Sequence, residues 1–177
     1  MRDGVLLGVD EARHMSCVKA WGRALYSELR KLMTLPAIRW AATATGAIAI
    51  IIVMSALQNK EEGQTFSFDE IAPTWTLAVQ IGFVAAGVIV AGSEHSTAQG
   101  ITTLLVTPVR TRLAAARLMA LTGTGLVAAS ILVGVSLAAC PTISTTALWA
   151  GGRTVAWLTG VLLLAAGLGE ALRSSIG

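Results

Sequence analysis

Four long apolar runs constrain this chain more than any other feature. They read IRWAATATGAIAIIIVMSAL (Ile38 to Leu57), WTLAVQIGFVAAGVIVAG (Trp75 to Gly92), LMALTGTGLVAASILVGVSLAAC (Leu118 to Cys140) and a run centred on TVAWLTGVLLLAAGLG (Thr154 to Gly169). A hydrocarbon core about 30 Å thick takes roughly 20 helical residues to cross. The apolar residues are continuous, whereas the strands of a membrane barrel alternate apolar with polar. The expectation is therefore an all-α, polytopic helical membrane protein with about four transmembrane helices, over residues 38–57, 75–92, 118–140 and 150–170. The fourth is short unless its helix starts near Ser144, ahead of Arg153. Composition agrees: the chain is 54% hydrophobic and 13% charged, against roughly 25% charged in soluble domains. The runs leave no room for a separate soluble core, so residues 18–177 read as one membrane domain.

The net charge of +3 and the pI near 9.3 do not point to nucleic acid, because most basic residues flank the apolar runs and form no dense patch. That distribution sets orientation, since cytoplasmic loops carry the excess of Lys and Arg. With a cytoplasmic N-terminus, Lys19, Arg23, Arg30, Lys31 and Arg39 lie inside before the first span. Arg110, Arg112 and Arg117 lie inside between the second and third, and Arg173 inside after the fourth. Lys60 and Arg153 then face out, with the acidic loop from Gln58 to Thr74. The expected location is the plasma membrane, multi-pass, with both termini cytoplasmic.

Ahead of the first span the chain changes character twice. Residues 1–17 resemble no signal peptide, since the apolar piece from Val5 to Val9 is short and is interrupted by Asp10 and Glu11. They read as a disordered tail, or as sequence upstream of a start at Met15. From Val18 to Leu35, the residues Val18, Trp21, Leu25, Leu29 and Leu32 recur at spacings of three and four, with Lys19, Arg23, Arg30 and Lys31 largely elsewhere on the wheel. This predicts a basic amphipathic helix in the headgroup layer, either part of the working domain or only an anchor. Pro36, tolerated in a first helical turn, separates it from the first span.

Soluble chemistry finds little support. Cys17 and Cys140 fall on opposite sides of the membrane and cannot pair within one chain. His14 and His95 have no ligand cluster at metal spacing, and Glu94 beside His95 points about 100° away from it on a helix. No phosphate-binding loop is present, because none of the three lysines follows a glycine. The chain cannot be its own ATPase, and no hydrolase or metalloprotease motif occurs.

The stretch SEHSTAQGITTLLVTPVRTRLAAAR (Ser93 to Arg117) stands between the second and third runs. It carries Glu94 just after the second span, a small polar turn with Gly100, a leucine-containing segment, and Pro108, Arg110, Arg112 and Arg117 leading into the third. This pattern resembles the permease subunits of ABC-2 type transporters. The likeness extends to SELRKLMTLPAIRW (Ser27 to Trp40), similar to that family's connecting helix, and to LGEALRSSIG (Leu168 to Gly177), similar to its turn after the fourth span. It covers about Ser16 to Gly177.

The resemblance implies a permease subunit, most simply of an exporter, coupled through residues 93–117 to a separate ABC ATPase subunit. That partner would bind the ATP and Mg, with no cofactor in this chain. A second permease copy or a paralogue would complete the complex in the lipid bilayer, with no nucleic acid involved. Thr102 to Val106, including Leu104 and Leu105, would form a coupling helix ended by Pro108. Arg110 and Arg112 would meet the ATPase or anionic headgroups, and Glu94 would fix how the helix hangs, through hydrogen bonds or an arginine such as Arg117. Family members usually have six spans, so the expectation is a member truncated after the fourth, with a degenerate member as the alternative. The other function class is a non-transporting four-span accessory or immunity-type protein, in which the arginines merely obey the orientation rule.

Polar residues inside the runs are few. Gln80 is the candidate for a substrate path. Ser130, Gly134 and Ala138, like Gly82 and Ala86, have the spacing that lets membrane helices pack closely.

Overall fold

The computed structural model describes residues 22–23, 25–59, 67–96 and 110–174. Trp21 and residues 1–20 lie outside them. Among the described residues all regular structure is helical, apart from one isolated parallel bridge between Ser67 and Thr142. A short helix over 25–34 leads into four long ones, Pro36–Gln58, Phe68–Ser96, Arg110–Ala139 and Thr145–Ser174. Each long helix contains a stretch long and apolar enough to cross a membrane.

Exposure shows why water is the wrong solvent for this fold. Only 17%, 28%, 28% and 22% of the most apolar windows of the four helices is buried. Ile50, Ile51, Leu77, Ile81, Val127 and Leu164 all point outward. An aqueous protein rarely exposes contiguous apolar surface on that scale, whereas lipid solvates it. Exposed Trp40 and Trp149 lie at opposite ends of the bundle, where amphipathic rings favour the headgroup layers. The chain is a multi-pass membrane protein.

The ends of the helices have local causes. Leu35 precedes a proline and takes extended dihedrals, φ −69° and ψ 115°, because the ring disfavours the helical region for the residue before it. The break is one residue long, since Ile38 and Arg39 donate backbone bonds to the Leu35 carbonyl. The second span starts at Phe68, earlier than the apolar run at Trp75. Asp69 and Glu70 occupy its first turn, where carboxylates favour the helix dipole, and Pro73 lies inside the helix, where its ring leaves the Asp69 carbonyl without the usual backbone donor. The fourth helix starts at Thr145 because Ser144 caps it: the Ala147 N–H donates to Ser144 Oγ at 3.0 Å. Ser144 also shares a 3.3 Å hydrogen bond with Ser67. With the Ser67 and Thr142 bridge, this ties the start of the second span to the turn between the third and fourth.

In space the spans follow the order first, second, fourth, third. The second and fourth share the most extensive interface, the first leans on the second, and the third leans on the fourth. Trp75, Phe68, Leu158 and Val79 are the largest fully buried side chains. Phe68 and Trp75 meet edge to face, centroids 5.6 Å apart at 73°. Trp75 Nε1 is buried with no hydrogen-bond partner among the described residues. Apolar attraction between helices is weak in lipid, so close contact relies on small residues. A β-carbon added to Gly87 would sit 2.7 Å from the Leu162 carbonyl oxygen. One added to Gly82 would overlap the Thr45 side chain, so the packing expected of Gly82 is present. The stripe of Ser130, Gly134 and Ala138 departs from expectation: all three are exposed, and none of the described residues lies near Gly134. Over this half of the third span the buried residues are Ala129, Val133, Ser136 and Cys140, which share a different face of the helix from the stripe.

The first and third spans barely touch. Between them lies an apolar cavity of about 610 Å³. It opens sideways, past exposed Ala42, Ala128 and Ile131 on its rim.

Candidate functional site

Antiparallel alternation brings the start of the first and third spans and the end of the second and fourth to one end of the bundle. Residues 97–109 leave from that end, because they join the second helix to the third. Their immediate support is built around Arg117. Its guanidinium forms an ion pair with Glu170 of the fourth span, and its Nη2 donates to the Val90 carbonyl of the second at 3.2 Å. Ser93 Oγ donates to the same carbonyl at 3.0 Å. The Arg117 side chain is 13% exposed and that of Glu170 49%. The arginine is thus largely withdrawn from solvent while its partner stays half in it, and solvent weakens the pair accordingly.

Close packing supplies the geometry. Ala116 and Ala120, nearly inaccessible, let the third span approach its neighbours around Arg117. At Gly169 an added β-carbon would fall 2.7 Å from Ala91 Cβ, so the second and fourth spans touch beside the ion pair. Val90, Leu121 and Ala166 form a small apolar cluster beneath it, on which Leu32 and Ile38 pack. One arginine therefore joins three helices through a carboxylate and a carbonyl, two acceptors that suit its fork of donors.

The sequence-derived residues divide into three groups. Thr102, Leu104, Leu105 and Pro108 lie outside the described residues, as do the side chains of Glu94, Arg110 and Arg112. The helical backbone runs through Glu94 to Ser96 and resumes at Arg110, so both arginines sit in the first turn of the third helix. The second group is the juxtamembrane helix. Leu25, Leu29 and Leu32 are half-buried, while the residue most withdrawn from solvent is Glu28, 6% exposed and paired with Lys31 at 2.7 Å. The apolar stripe was legible, but a carboxylate that shares its side was not. The (i, i+3) lysine supplies the compensating charge that such burial requires. The third is Gln80, half-buried on the second span. Its Oε1 accepts from Trp157 Nε1 at 3.0 Å, across to the fourth span. It does not line the cavity.

Glu170 was missed by sequence reasoning although it directly follows the fourth apolar run, and the helix continues through it to Ser174, where the family likeness implied a turn. The available signal was two opposite charges at the same end of spans that alternate in direction. Thr76 and Thr154 likewise share a hydrogen bond of 3.4 Å between the second and fourth spans. Among the described residues no group of three His, Cys, Asp or Glu side chains gathers as a metal site would require. Comparisons with protein-family models, curated proteins and solved structures found no match for this chain.

Proposed function

We propose that this chain is a membrane-spanning, permease-type subunit of an ATP-driven transporter of the ABC-2 class, working in the plasma membrane with both termini cytoplasmic. A separate ABC ATPase would engage residues 93–117. The motif likeness suggests the class, and the Arg117 junction is the observation that carries the mechanism. A coupling segment has to pass displacement to several helices at once. Arg117 stands two turns into the helix that follows residues 97–109 and is joined to the second and fourth spans through Val90 and Glu170. The first span lies outside that junction and leans mainly on the second. A push on the segment would therefore move three joined helices against a fourth, opening or closing the gap between the first and third.

Affinity capture of the tagged full-length chain from native membranes tests the reading. Wild type is expected to bring down a P-loop ATPase. Leu105→Asp, which replaces an apolar contact by an unpaired charge, should insert at normal levels and bring down none. Capture without any ATPase in wild type would move the chain to the accessory class.

A further inference from the structure

Among the described residues, the cavity between the first and third spans has a single charged residue on its lining, Arg39, at the end where the first span begins. Nearby cations are engaged: Lys31 by Glu28, Arg117 by Glu170. The Arg39 guanidinium has no ion-pair or hydrogen-bond partner among the described residues. The rest of the lining is apolar in effect, because the hydroxyls of Thr45 and Thr124 are turned back onto the carbonyls of Ala41 and Ala120.

Dimensions narrow the occupant. The lining runs from Val90 to Gly82 along the second span and from Leu121 to Leu132 along the third, roughly 12 and 16 Å at 1.5 Å per residue. That is about half of a 30 Å hydrocarbon core, the depth of one leaflet. A membrane-crossing helix would run the full thickness and leave half its length without a groove. A soluble anion would gain nothing from the apolar walls.

We propose that this groove holds an anionic phospholipid of the leaflet at the Arg39 end, with its phosphate at the Arg39 guanidinium and an acyl chain against Ala42, Gly82, Ala86 and Ala128. Guanidinium suits the phosphate oxygens, which it can meet with two parallel donors. A net negative headgroup is favoured because, among the described residues, no carboxylate on the lining would balance a headgroup ammonium. The site depends neither on transport nor on which leaflet faces the cytoplasm.

The test is native mass spectrometry of the full chain, purified in detergent, stripped of lipid and titrated with phosphatidylglycerol or phosphatidylcholine. Wild type should retain phosphatidylglycerol about tenfold better, the order expected of one charge-assisted contact. Arg39→Gln should lose that preference and Arg39→Lys should keep most of it, which separates loss of charge from misfolding. Ala128→Trp, which fills the groove, should lower retention of both lipids, and Arg153→Gln at the other end should change nothing. Equal retention of the two lipids by wild type, an unchanged preference in Arg39→Gln, displacement by soluble glycerol phosphate, or a dimer whose formation excludes lipid would each overturn the proposal.

Discussion

Trp157 on the fourth span donates its indole N–H to the side-chain oxygen of Gln80 on the second, at 3.0 Å. Gln80 thus serves as an acceptor between two helices, on the side where Trp157 is 57% exposed. A hydrogen bond between membrane helices contributes about 0.6 kcal/mol on average and about 1.7 at most. Gln80→Leu and Trp157→Phe should each destabilise the chain by that order in bilayer unfolding measurements. The double variant should cost less than the sum of the two, because each single change already breaks the same bond. Strict additivity would show that the pair is not coupled.

Gly87 and Gly134 should respond in opposite ways to the same substitution. A methyl group at Gly87 meets the backbone of Leu162 and Ala166, which cannot step aside as a flexible side chain can. Gly87→Ala is expected to cost about 1 to 3 kcal/mol, the usual range for overpacking. None of the described residues stands near Gly134, so Gly134→Ala should be neutral or stabilising by up to about 1 kcal/mol through helix propensity. Equal losses at both positions would indicate that the Gly134 face is covered by another protein.

Substitutions at the Arg117 junction should separate the Glu170 contact from the Val90 contact. Glu170→Gln removes only the half-exposed carboxylate, and stability should fall by no more than about 1 kcal/mol. Arg117→Ala also vacates the Val90 carbonyl, and the ends of the second and fourth spans should loosen. Disulfide yield between cysteines placed at Ala91 and Gly169 reads this directly: high in wild type, little changed by Glu170→Gln, reduced by Arg117→Ala. An unchanged yield in Arg117→Ala would mean that packing alone holds that end together.

Orientation is open to labelling in intact cells. A cysteine at Asn59 should react with an impermeant maleimide and one at Thr107 should not, since the reverse would place most of the basic flanking residues outside. Labelling at Thr107 alone would reverse the membrane orientation assigned to the chain.

Much of the architecture could be read from hydropathy, because a span is a local property of some twenty residues. The start of the fourth helix was legible only conditionally, as a run too short unless its helix began near Ser144, and the capping bond that fixes it depends on the folded geometry. Neighbour relations were not, because they depend on which faces meet after insertion. Ser130, Gly134 and Ala138 have the spacing of a packing seam, yet the seams run through Gly87, Gly82 and Gly169, whose neighbours lie far away in sequence. Glu170 escaped notice for the same reason. A half-exposed carboxylate becomes informative only once Arg117 is known to stand beside it. The residues expected to meet an ATPase belong to a segment whose pattern was legible only by likeness to a family.

The order in which the spans pack bears on how the chain is made. The second span's principal partner is the fourth, and Gln80 waits for a tryptophan 77 residues further along. At synthesis rates of about 5 to 20 residues per second, the second helix spends several seconds in the bilayer with its glycine-lined face against lipid or the insertion machinery. The third arrives during that interval and has little to offer it. Biogenesis of this bundle is therefore a problem of delayed pairing, in which the hairpin of the first two helices has to persist until the last helix is threaded between the second and the third.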